Sequence, residues 1–109
     1  MDIKKDKIGI FSVLKIKGRI DTIHSKDLED EVNRIFDSGE KNLIFNCSEM
    51  NYISSSGLRV FLVVQKRAIS LQGKLYLCNM QPAIKEIFVI SGFSNLFRIF
   101  DTQEEALEK

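Results

Sequence analysis

The sequence predicts one α/β domain, residues 1–109, built on a small, mostly parallel mixed β-sheet of about four to five strands flanked by about four helices. Three observations carry that expectation. Short runs rich in Val, Ile, Leu and Phe alternate with segments whose apolar residues recur at helical spacing. Strands separated by helices imply parallel pairing through right-handed crossovers. The length of 109 residues fits one domain of ordinary size, with no internal repeat, linker or low-complexity tract to divide it.

Residues 8–17, I-G-I-F-S-V-L-K-I-K, alternate imperfectly, with Phe11, Val13 and Lys15 against Ser12, Leu14 and Ile16. Their Val, Ile and Phe content favours a strand, in a hairpin with residues 3–5 at a sheet edge. Gly18-Arg19-Ile20-Asp21 is expected to break it. Ser25 is placed to cap a helix whose Leu28, Val32, Ile35 and Phe36 share one face, with Asp27, Asp30, Glu31 and Arg34 solvated opposite. Gly39 stands where a helix C-terminus turns left-handed. Residues 42–47, N-L-I-F-N-C, read as a strand buried on both faces.

A distinctive stretch follows, residues 51–62, N-Y-I-S-S-S-G-L-R-V-F-L. Three serines and a glycine join a strand to a long helix. Serine is a preferred N-cap, Gly57 permits close approach, and a helix N-terminus suits a phosphate. From Leu58 onward Phe61, Leu62, Val64, Gln65, Ala68 and Leu71 form the expected inner side. The other side carries Arg59, Lys66, Arg67 and Ser70 together with Val60 and Val63. Two valines on a basic face are either scattered exposed apolar residues or a partner-binding patch. Residues 74–79 form another strand, Pro82 opens a helix with Ile84, Ile87 and Phe88 inward, and Gly92 ends it. Residues 96–100 are the last strand. Thr102 and Glu105 have capping-box spacing for a terminal helix that turns Ala106 and Leu107 inward.

Composition narrows the function. The chain is 44% hydrophobic and 28% charged, with a net charge of +1, which argues against direct nucleic-acid binding driven by phosphate neutralisation. No apolar run approaches the roughly 20 residues of a membrane span, and the first residues lack a signal-peptide pattern. A cytoplasmic protein without direct membrane insertion is expected. Cys47 and Cys78 are too few for a disulfide framework and lack metal-site spacing, so buried thiols are expected and no metal or cofactor is assigned. His24, the single histidine, reads as a solvated loop residue. The serines do not match G-x-S-x-G, and neither G-x-x-x-x-G-K-[ST] nor G-x-G-x-x-G occurs. No catalytic residue is assigned, and the protein is not expected to be an enzyme. The hydroxyl cluster is either a simple helix cap or a phosphorylation switch.

At this point the residues resemble a known family, the STAS-domain anti-sigma factor antagonists, over nearly the whole chain. Gly18-Arg19-Ile20-Asp21 is similar to the family's G-x-[LI]-D turn. Tyr52-Ile53-Ser54-Ser55-Ser56-Gly57-Leu58 is similar to its [FY]-[IM]-D-S-[STA]-G-L. Residues 77–83 and 90–93 resemble the strand-helix segment that follows. The resemblance implies a single STAS domain that binds an anti-sigma factor which is also a serine kinase, releasing a sigma factor. Phosphorylation ends that binding and a separate serine phosphatase restores it. The resemblance carries the acceptor onto Ser55, with Ser56 and Ser54 as the alternatives. It carries partner binding onto Asp21, Ser54, Ser56, Gly57, Arg59, Val60 and Val63. Two positions depart from the pattern: Ser54 replaces the motif aspartate, and Asn46 replaces an aspartate expected to end the preceding strand. The competing expectation is a constitutive STAS interaction subunit of a signalling or membrane-transport assembly, whose serines only cap.

Overall fold

The imperfect alternation of residues 11–17 reflects a strand with a different neighbour on each face. The computed structural model describes residues 1–109. Strand β1 (Asp2–Ile8) and strand β2 (Phe11–Ile20) form an antiparallel hairpin with Ile8 opposite Phe11 and Asp2 opposite Lys17. Helix α1 (Thr22–Asp37) leads to strand β3 (Asn42–Ile53), and helix α2 (Ser55–Ser70) leads to strand β4 (Lys74–Cys78). Helix α3 (Pro82–Ile90), a 3-10 turn (Phe93–Asn95), strand β5 (Arg98–Phe100) and helix α4 (Gln103–Leu107) complete the chain. The five strands lie in the order β1-β2-β3-β4-β5, parallel except for the β1 edge. This is the α/β fold expected from the sequence.

Because side chains alternate along a strand, Leu14, Ile16 and Ile20 of β2 enter the main core. There they join Leu43, Phe45, Leu75 and Leu77 of the sheet with buried residues of α1, α2 and α3. Phe45, Phe61, Phe88 and Phe97 run through this core with successive ring centroids 5.0, 5.9 and 5.8 Å apart. Phe11 and Val13 point to the opposite face, where Ile44, Tyr76, Cys78 and Ala106 of the short α4 form a second cluster. That cover ends before Lys15 and Lys17, which share Glu49 on the uncovered part of this face.

Four local expectations change. Gly18 does not break β2. It has φ +97° inside a continuous strand, at a register shift against β3, a conformation open to glycine and strained for other residues. The strand therefore reaches Ile20, and Asp21, not Ser25, caps α1, accepting the His24 backbone N–H at 2.9 Å. Ser25 is buried in the first turns, its hydroxyl donating to Thr22 O. Likewise β3 continues to Ile53, so Asn46 lies mid-strand, where its Oδ1 accepts from Ser48 N and its Nδ2 donates to Gln103 of α4. The final strand is shorter than expected because residues 93–95 form a 3-10 turn.

Thr102 caps α4 as expected, its hydroxyl accepting from Glu105 N, but the Glu105 carboxylate meets the Thr102 hydroxyl instead of closing a capping box on the Thr102 backbone N–H. Cys47 and Cys78 are buried free thiols, and desolvation pushes both thiol pKa values up, Cys78 to about 12. No helix is long and apolar enough to cross a membrane.

Candidate functional site at the first turn of α2

Parallel strands bring their C-terminal ends to one rim of the sheet, and the helices that follow begin there. Two such junctions are tied together directly. Ile20 pairs with Ile53, and the backbone N–H of Ser54, one residue further on, donates to Ile20 O at 2.9 Å. Asp21 and the serine cluster therefore start adjacent helices, α1 and α2.

The three serines differ in what their surroundings ask of them. Ser54 is the N-cap of α2, with extended backbone, and its hydroxyl accepts from Gly57 N at 3.1 Å. Its carbonyl accepts from Leu58 N. Ser55 is the first helical residue, exposed, and its hydroxyl makes no hydrogen bond within the protein. Ser56 follows, half-buried. No acidic residue occupies the first turn of α2, so the only carboxylate that the tied junctions bring beside the cluster is that of Asp21.

Gly57 is buried. A β-carbon there would lie 2.7 Å from Ile53 Cγ1 and 2.9 Å from Ile20 Cγ2. Its smallness lets the first turn of α2 settle on the ends of β2 and β3, so its place in the motif is explained by packing within the chain. Val60 is a correction of the same kind. It is only 1% exposed and belongs to the main core, so it is no part of a surface patch. The buried arc of α2 runs through Gly57, Val60, Phe61, Val64 and Ala68. Val63 is half-buried and Arg59 exposed. Ser55, Arg59 and Val63 are spaced i, i+4 and i+8, which places them along one outer stripe of the helix.

Across the rim, the Asp21 carboxylate accepts the His24 backbone N–H at 2.9 Å, and His24 Nδ1 lies 2.9 Å from the same oxygen without hydrogen-bond geometry. The backbone N–H is the main cause that holds the Asp21 carboxyl below its ordinary pKa, helped by the charge of His24. His24 is thus a residue of the first turn of α1, not of a loop. Beside it Ile23 is 75% exposed, a large apolar side chain at the rim that the sequence reading missed. Taking Asp21 as the cap would have revealed it, because position 23 then falls on α1 away from Leu28 and Val32.

The sequence model of the STAS domain matches residues 2–106. The chain belongs to the STAS domain family. A protein of Bordetella bronchiseptica named as an anti-sigma factor antagonist, BtrV, is 35% identical over 106 residues, covering 97% of this chain and 91% of its own. The anti-sigma-B factor antagonist of Staphylococcus aureus is 23% identical over 94 residues, covering 86% of this chain and 87% of its own. Among solved structures, a Thermotoga maritima protein also named as an anti-sigma factor antagonist superposes with a TM-score of 0.92 at 17% identity, covering 97% of this STAS domain and 92% of that chain. The Bacillus cell-fate determinant SpoIIAA in its phosphorylated form superposes with a TM-score of 0.77 at 19% identity, covering 98% and 97%. At those identities the superpositions establish the fold.

Proposed function

We propose that this STAS domain is an anti-sigma factor antagonist. It binds an anti-sigma factor that is also a serine kinase, so that a sigma factor is released, and phosphorylation of Ser55 ends the binding. The observation that carries the reading is the unequal state of the three hydroxyls. Ser54 is engaged in the cap, Ser56 is half-buried, and Ser55 is exposed and unbonded on the outer stripe of α2. A kinase needs a hydroxyl it can reach without dismantling a helix end, and Ser55 meets that condition. The antagonist names of the relatives support the same role.

In the transfer, Ser55 Oγ bonds to the γ-phosphorus of ATP, the bond to the ADP oxygen breaks, and the hydroxyl proton passes to a base of the kinase. This chain supplies the acceptor and the docking face and no catalytic group. The phosphoserine brings about −1.5 to −2 charges and three acceptor oxygens. The N-terminus of α2 tolerates that charge from within the chain. A partner lying over Ser55 meets it as a charge to be desolvated, so binding is lost while the fold persists. A serine phosphatase reverses the state, and the exchange takes place in the cytoplasm without direct contact to nucleic acid.

Ser54 fits this scheme despite replacing the motif aspartate. Serine and aspartate are comparable N-caps, so the backbone of the acceptor turn is held either way, and only the carboxylate charge beside Ser55 is missing. The docking face comprises Asp21, Ser54, Ser56, Arg59 and Val63 around the acceptor, with the buried Gly57 and Val60 supporting it from below. Incubation with the cognate kinase and ATP, followed by tandem mass spectrometry, is expected to place one phosphate on Ser55. A phosphate on Ser54 or Ser56 would overturn the choice of acceptor, and a phosphate elsewhere, or none with an active kinase, would overturn the switch.

A further inference from the structure

We infer that Arg59 is an internal clamp for a phosphate on Ser55, so that phosphorylation withdraws from the docking face both the acceptor hydroxyl and the arginine one helical turn after it. The inference rests on the reading of Ser55 as acceptor and adds how the modified state is held. What carries it is the cation. The chain has five arginines, and four are occupied. Arg34 pairs with Glu31, Arg67 with Asp37 and Asn33. Arg19 lies 4.2 Å from the centroid of Tyr52, and Arg98 covers Tyr76 and Phe100. Arg59 makes no ion pair, hydrogen bond or aromatic stack, and it is exposed one helical turn after Ser55.

Residues four apart on a helix are neighbours on its surface. A guanidinium matches a phosphate with two parallel donors and is less strongly hydrated than an ammonium. No carboxylate competes locally. The first turn of α2 has no acidic residue, and Asp21 across the rim is engaged by His24. In the unmodified protein Arg59 is free to meet a partner. In the modified protein its charge is taken up within the chain.

The test uses the full chain with phosphoserine installed at position 55 by genetic encoding, which separates the clamp from any question about the kinase. Phosphorus-31 NMR follows the second ionisation of the phosphate in the parent protein, Arg59→Gln and Arg59→Lys. A clamp favours the dianion, so the parent is expected to titrate about half a unit lower than Arg59→Gln, a roughly threefold change in proton affinity. Arg59→Lys should recover only part of the shift, and 1 M salt should shrink it. Equal midpoints for the parent and Arg59→Gln at low salt would overturn the clamp. Undiminished binding of the phosphoserine protein to the anti-sigma factor would instead overturn the switch, whatever the NMR shows.

Discussion

Replacing Ser54 by alanine removes one atom and separates the structural serine from its neighbour. The lost oxygen accepts from Gly57 N at 3.1 Å. Cap removal costs about 0.5–2 kcal/mol. Gly57 is buried against Ile20 and Ile53, so water does not readily replace the missing acceptor, and about 1.5 kcal/mol is expected. A chain of 109 residues unfolds with a melting entropy of about 230 cal/mol/K, so the melting temperature should fall by about 6 °C. Ser54→Asp keeps a cap acceptor and should stay within about 0.5 kcal/mol of the parent, as should Ser55→Ala, which removes no hydrogen bond. Calorimetric melting of the three variants decides the matter. If Ser54→Ala melts with the parent, or if Ser55→Ala loses as much as Ser54→Ala, the assignment of cap and free hydroxyl is wrong.

Two further outcomes follow from packing and charge. Val60→Thr buries a hydroxyl in the main core and should cost about 1–3 kcal/mol in urea unfolding, whereas the same change at the half-buried Val63 should cost less. Equal costs would contradict the orientation of α2. Glu40 is bonded by Lys7 at 2.9 Å and Lys5 at 3.0 Å, and these partners lower its carboxyl to about 2 from an ordinary value of 4.5. A carboxyl lowered on folding stabilises the fold above its unfolded value and loses that contribution as pH falls from about 4.5 to about 2. Glu40→Gln should therefore lower stability at pH 7 by no more than about 1 kcal/mol, since the pairs are partly solvated. The difference from the parent should vanish near pH 2, and a difference that grows on acidification would refute the assignment.

The strand–helix alternation was legible because residue-type periodicity depends on each element alone. Phase and boundary were less so, because they depend on neighbours. Val60 falls on the outside of α2 when the inner side is drawn through Leu58, Phe61, Leu62, Val64, Gln65, Ala68 and Leu71. The helix lies between α1, α3 and the sheet, which turns the buried arc toward Gly57, Val60 and Val64. Leu71, expected inside, is 40% exposed. Gly18 reads locally as a breaker, yet β3 beside it stabilises a bulged strand, and the cap moves from Ser25 to Asp21. The serine cluster was located correctly as a strand-to-helix junction. Which serine caps depended on where β3 ends, and Ser54 N bonding to Ile20 O fixes that point only in three dimensions. The exposure of Ile23 beside Asp21 was hidden for the same reason.

The division between Ser54 and Ser55 gives the binding switch its most direct test. The affinity of the cognate anti-sigma factor is to be measured by isothermal titration calorimetry for the parent protein, Ser55→Ala, and the protein carrying phosphoserine at position 55. Ser55→Ala should bind like the parent, because it brings no charge to the docking face and leaves Arg59 free, and the phosphoserine protein should bind at least about 100-fold more weakly, a change of about 2.7 kcal/mol. Equal affinity of the phosphoserine protein and the parent, with both folded, would contradict the claim that the first turn of α2 is the switch.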